Sequence, residues 1–183
     1  MVVSIITKPT KPIFNDGLLD TRMSLGLKNE IHYFDEIKDI FREFEPITHT
    51  LGRFDTFDFI SDDAVIELKA RSVNKTDYKT TIVGMDKVEM GLKELEKGRR
   101  VFFLFGFLDT GLEMWEMEKD NDEWKKWNTR MVKCKRQSGY YDKLHLEIPV
   151  ERLEWISDKK PLEDPEYIKY KKNDIKGVCL IKL

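Results

Sequence analysis

The apolar residues Ile31, Phe34, Ile37, Phe41 and Phe44 return every three or four positions. That spacing predicts an amphipathic helix from about Gly26 to Phe44, with Pro46 just beyond its end. The period then changes. Residues 47–60 and 64–72 alternate apolar and polar, as strands with one buried face do. Val88, Leu92 and Leu95 mark a second helix, with Asp86 as its expected N-cap and Gly98 just past its end. Arg99–Leu108 reads RRVFFLFGFL, an apolar run suited to a strand buried on both faces. Gly111–Met117 follows a turn at Asp109-Thr110 as a further strand, and Leu144–Val150 as another. Residues 1–24, with Pro9, Pro12 and Gly17, read as an irregular arm. The order helix, three strands, helix, strand, then more β structure predicts a mixed α/β sheet with helices packed on it.

A chain of 183 residues has the size of one domain. We expect a single unit over residues 1–183, with a core over about 24–118 and a C-terminal β extension and tail over 119–183. Charged residues make up 36%, yet the net charge is only −2. That excludes a protein coated in positive charge but leaves room for a local basic groove. Cys134 and Cys179 form no disulfide framework or metal-ligand spacing and suit a reducing compartment. The N-terminus lacks a signal-peptide pattern, and no segment approaches the ~20 apolar residues of a membrane span. A soluble, cytoplasmic protein without a membrane partner is expected.

The candidate chemistry lies in FDFISDDAVIELKAR, residues 57–71. Glu-x-Lys occurs three times in the chain, at Glu36, Glu67 and Glu123, so the tripeptide alone decides nothing. Only Glu67 and Lys69 fall in a strand, where residues two apart share a face. Ala64, Ile66, Leu68 and Ala70 make one face; Val65, Glu67, Lys69 and Arg71 make the other. The plain alternative is a half-buried strand with a solvated charged side. A hairpin loop of Asp62-Asp63 or Ser61–Ala64 would set Asp58 opposite Glu67. Like charges facing across a ladder are destabilising unless something separates them, and a divalent cation does so. A one-residue slip would remove the pairing. On a helical wheel Glu30 shares the direction of Phe34, Ile37, Phe41 and Phe44, so it is expected on the face that meets the sheet. The competing reading places it partly exposed in the helix's first turn, favoured by the helix dipole.

Asp58, then Glu67-Leu-Lys69, with helical Glu30 in the setting Gly26-x-x-x-Glu30, resembles the PD-(D/E)xK nuclease superfamily. The resemblance covers about residues 24–108. Tyr78-Lys79-Thr80-Thr81-Ile82 and Lys87 are similar to phage- and virus-type members. LHLEIPVERLEWI resembles a strand ending common in such nucleases, among which Holliday-junction resolvases and phage exonucleases are the nearest in kind. Phe57 stands where the family name has proline, and Asp55, Asp62 and Asp63 compete with Asp58. The resemblance implies a restriction-endonuclease-like mixed sheet with extra β structure on its C-terminal side. It implies that Asp58 and Glu67, helped by the Leu68 carbonyl, bind Mg2+ or Mn2+. Glu30 would hold a second ion or a water. Lys69 would orient or deprotonate the attacking water and stabilise charge on the phosphorane. Lys87, Tyr78 and Arg71 are the auxiliary candidates.

Between Trp124 and Lys143 seven cations stand against one acid, Asp142. Lys125, Lys126, Arg130, Lys133, Lys135 and Arg136 are the candidate nucleic-acid contacts, interleaved with Trp124, Trp127, Tyr140 and Tyr141. The alternative is a charged β-hairpin whose aromatics are core. Together these features predict a Mg2+-dependent endonuclease acting on DNA, with branched, flapped or single-stranded substrates in view. Phage or viral origin, a role in recombination or repair, and a homodimer cutting both strands are expectations of the resemblance. The rivals are a catalytically silent nucleic-acid- or protein-binding module of the same fold, and a structural phage protein whose hairpin charges are solvated.

Overall fold

In the computed structural model, which describes residues 17–50, 56–118, 122–136 and 139–163, the first helix, α1, runs Gly17–Ile40. It therefore takes in residues 17–24, which the prolines and glycine nearby suggested were irregular. It also stops earlier than its apolar period, and Phe44 lies in a 3-10 turn, Arg42–Phe44. Tyr33, Ile37 and Phe41 face the core, whereas Ile31 is 60% exposed. Tyr33 takes the inward place because its hydroxyl finds a partner, donating to the Lys159 carbonyl at 2.9 Å. Its ring also lies where a side chain at residue 106 would be; a Cβ on Gly106 would stand 2.7 Å from the Tyr33 oxygen.

The run 47–60 is not continuous strand. β1 (Thr48–His49) and β2 (Phe59–Ile60) are two residues each and pair antiparallel. β3 (Ala64–Ala70) follows β2 through a tight turn closed by Ser61 N–H to the Ala64 carbonyl at 2.9 Å and Ala64 N–H to Ser61 Oγ at 3.0 Å. β4 (Thr80–Gly84) leads directly into α2 (Met85–Glu96). β5 (Arg100–Phe107) then lies parallel to β3, and β6 (Gly111–Met117) returns antiparallel. β7 (Thr129–Arg136), β8 (Gly139–Pro149) and β9 (Glu154–Ser157) complete the order. The larger sheet runs β1-β2-β3-β5-β6-β9 and the smaller β4-β8-β7. The fold is thus mixed α/β. β8 begins well before the Leu144 start that its apolar residues suggested, and β4 leaves the main sheet.

The main sheet is covered on both faces. Ala64, Ile66, Leu68, Phe102 and Leu104 pack with Tyr33, Ile37 and Phe41 of α1. Val65, Phe103 and Phe105 pack with Val88 and Leu95 of α2 and with Val83, Leu146 and Ile148 of the smaller sheet. β5, central in this stack, is buried from Val101 to Phe107, as its continuous apolar run predicts. Asp86 is not the cap of α2. The N-cap is Gly84, because β4 runs straight into the helix, and the Asp86 carboxylate instead meets Lys143 at 2.8 Å. Gly98 does close the helix, with φ +86°. Its N–H donates to Leu95 O at 3.0 Å and Arg99 N–H to Glu94 O at 3.1 Å, the Schellman arrangement.

After β9 the chain crosses α1. Leu162 N–H donates to Asn29 Oδ1 at 2.7 Å, and Asn29 is itself buried. Beneath β6, buried Glu113 meets Lys75 at 2.6 Å. Among the described residues no helix is long and apolar enough to cross a membrane.

Candidate functional site

The β2–β3 register pairs Phe59 with Ile66 and Ile60 with Val65, so one step further sets Asp58 against Glu67. The ladder stops there because the Asp58 side chain takes a backbone donor, accepting from Leu68 N–H at 2.7 Å. Strand alternation sends Ile66 and Leu68 towards α1 and Glu67 towards α2. The charged side of β3 is therefore no solvated face: Glu67 is 1% exposed. Two cations meet it. Lys69 bonds one carboxylate oxygen, and Lys87 in the first turn of α2 bonds the other at 2.8 Å. Lys87 also donates to the Thr56 carbonyl.

Burial, and then the neighbouring Glu67 charge, push the Asp58 carboxyl up to about 7, with Glu30 adding in the same direction. Lys69 and the Leu68 N–H oppose that rise without cancelling it. Burial works against the Lys69 charge, but Glu67 and Asp58 outweigh it and hold the ammonium above its ordinary value. Arg71, next on the same face, is drawn down to about 10 by burial, against the pull of Glu67. Its guanidinium donates to the Ile82 carbonyl, while its buried Nε has no hydrogen-bond partner.

Glu30 sits on the α1 side of the sheet, and His49 of β1 donates to it at 2.9 Å. It contributes charge to the site without joining the Asp58–Glu67 pair in one cluster. Among the described residues no three His, Cys, Asp or Glu side chains converge as a metal group. Asp62 and Asp63 are exposed at the hairpin turn, and Asp55 lies outside the described residues. Tyr78 is 57% exposed and lines a separate groove with Lys79, Thr80 and Pro149. Two histidines that the sequence reading did not single out border the region. His49 anchors Glu30, and only the strand-like run containing it hinted at such a place. His145 pairs across from Gly84, and its Nδ1 donates to the Lys143 carbonyl at 2.9 Å. Burial, joined by the Lys143 and Arg71 charges, lowers its basicity.

The basic stretch is partly spent on structure. Trp124 is buried, and Trp127 packs on Trp115 with centroids 5.2 Å apart. Trp124 is core and Trp127 packs against it, as the alternative of buried aromatics held for these two, whereas Tyr140 of the hairpin is exposed. Arg130 pairs with Glu147 at 3.1 Å, and the Lys125 ammonium lies 5.8 Å from the centre of the Trp124 ring. Lys126 and Lys133 are exposed. Lys135 and Arg136 belong to β7, and their side chains lie outside the described residues.

The donors present fit a hard divalent ion. Asp58 and Glu67 are adjacent, and the Leu68 carbonyl leaves β3 on the same edge as the N–H that meets Asp58. Mg2+ keeps several waters and commonly takes only one or two protein carboxylates, so it needs no third acidic ligand. The raised Asp58 value reflects its burial first and the neighbouring Glu67 charge second. No protein-family model matches the chain, and no curated protein matches it.

Proposed function

We propose that the chain is a Mg2+- or Mn2+-dependent nuclease of the PD-(D/E)xK type that hydrolyses DNA phosphodiester bonds. One observation carries the reading: Asp58, just before β2 and bonded to Leu68 N–H, lies beside Glu67 of β3, with Lys69 on the buried Glu67. The run from α1 through β3 to α2 and β5 is compatible with a restriction-endonuclease-like core. Asp58, Glu67 and the Leu68 carbonyl would hold the ion. When bound, it supplies Lewis acidity toward the phosphodiester and lowers the pKa of water. Lys69 places a positive charge beside the point where negative charge grows on the phosphoryl oxygens. Lys87 offers a second such charge from the opposite side of Glu67, and Arg71 a third. Glu30, fixed by His49, orients groups at the rim of the site.

A second reading is favoured by one observation. Both Glu67 oxygens are already neutralised by lysines, as they would be in a catalytically silent DNA- or protein-binding module. A panel of plasmid, flap and junction DNA incubated with Mg2+ or Mn2+ separates the two. The nuclease reading expects cutting that falls by at least about 100-fold in Lys69→Ala, the scale of losing one electrostatic stabiliser. Wild-type protein that shifts these DNAs yet cuts none with either ion leaves the silent module.

A further inference from the structure

We propose that the β7–β8 hairpin is an arm that holds a single-stranded segment of nucleic acid beside the Glu67 site. Its link to cleavage rests on the nuclease reading; the binding itself does not. Among the described residues β7 is the outer strand, at one edge of the smaller sheet. Its eight residues carry Arg130, Lys133, Lys135 and Arg136 and no acid. A second copy added along that edge would stack like charges across a ladder, which opposes self-pairing. A polyanion meets no such penalty.

The face of the hairpin selects among polyanions. Met131 pairs with Leu144, and Tyr140 and Leu144 share a face by alternation. Met131 is 59% exposed, Tyr140 64% and Leu144 41%. Asp142, opposite Lys133, is the acid on that face among the described residues. Exposed ring and apolar surface beside cations suits bases with free faces and a charged backbone. A duplex hides its base faces, and an acidic peptide has no flat rings to stack, so a single strand is the favoured occupant.

The same face leads towards the site. Leu146, next after Leu144 on this face, is buried in the cluster that holds Val65, and Val65 shares the side of β3 that carries Glu67. From Leu146 the strand runs outward to Tyr140 over a length on the order of 20 Å. A strand lying on this face would thus lead towards the side of the main sheet that carries Glu67.

Fluorescence anisotropy in EDTA tests binding apart from cleavage, using labelled oligothymidylate and a blunt duplex of equal length. Wild type is expected to prefer the single strand. Tyr140→Ala should weaken it about 5- to 100-fold, the range for loss of one stacked base. Lys133→Glu should weaken it and reduce the slope of log affinity against log salt by about 0.7. Trp155→Ala, at an exposed aromatic 57% accessible on β9, should change nothing. The proposal is overturned if the first two variants bind like wild type, or if the duplex is preferred. Competition by polyglutamate as effective as by unlabelled DNA also overturns it and points to an acidic protein partner. Single-strand binding of this pattern without metal-dependent cutting would sink the nuclease reading and keep the arm. Cutting without this pattern would do the reverse.

Discussion

Asp58→Asn is expected to stabilise the metal-free protein, and to do so more at higher pH. The perturbation is minimal, because an asparagine carbonyl can still accept from Leu68 N–H, now at 2.7 Å. It removes one negative charge from beside Glu67. The Asp58 carboxyl is raised from 3.8 in an unperturbed chain to about 7 in the fold. A carboxyl with a raised folded value binds more protons folded than unfolded between those two points. Stability therefore falls as pH rises through that window, and the loss is complete just above its upper end. At about 1.36 kcal/mol per unit the penalty is about 1.5 kcal/mol at pH 5 and about 4 kcal/mol at pH 8. Urea melts of wild type and variant at both pH values, with unchanged slopes, read the difference directly. Adding Mg2+ should raise the wild-type midpoint more than that of the variant, since the ion replaces repulsion by ligation. A variant less stable than wild type at pH 8, or a difference that does not grow with pH, would refute the account of Asp58 as a carboxyl raised by burial and by the Glu67 charge.

Two further predictions address the surroundings. Lys75→Ala leaves Glu113 buried without its counter-ion and should cost about 3 kcal/mol in urea unfolding, since breaking a buried pair is far worse than losing a surface one; a change under about 1 kcal/mol would show that Glu113 relaxes to water. Lys87→Met removes one of the two cations on Glu67 and should tighten Mn2+ binding about tenfold in calorimetry, a difference of about 1.4 kcal/mol; unchanged or weaker binding would mean that Lys87 does not compete with the ion.

The readable parts of this fold are those fixed by neighbours in sequence. A two-residue turn at Asp62-Asp63 sets the β2–β3 register, and period-2 alternation sets the faces of β3, so Asp58 and Glu67 could be brought together on paper. The unbroken apolar run of β5 announced a strand covered on both sides. The failures have long-range causes. The third strand before α2 is expected in the one mixed sheet, but the partner of Thr80–Gly84 is β8, more than fifty residues away, so nothing local placed it in a second, smaller sheet. Asp86 reads as a cap by residue type, but Lys143 of that same sheet claims it. Ile31 looked inward by apolarity, while Tyr33 won the place through a hydroxyl bond to residue 159. Trp124 and Trp127 sit among lysines in sequence yet pack inward, because Trp115 from another strand completes their contact.

The arrangement around Glu67 joins the site to that unforeseen sheet. Lys69 comes from the same strand as Glu67 and is fixed by alternation alone. Lys87 comes from α2, whose start is set by β4 and held by the Asp86–Lys143 pair from β8. One of the two cations on Glu67 therefore depends on the smaller sheet, and Arg71 is tied to that sheet through the Ile82 carbonyl. Whatever loads the β7–β8 hairpin pulls on the elements that position Lys87 and Arg71. A nucleic acid on the hairpin and a divalent ion at Asp58–Glu67 would then be coupled in free energy, each altering the affinity for the other by the same factor. In the silent-module reading Lys87 stays on Glu67 whatever is bound, and that coupling vanishes.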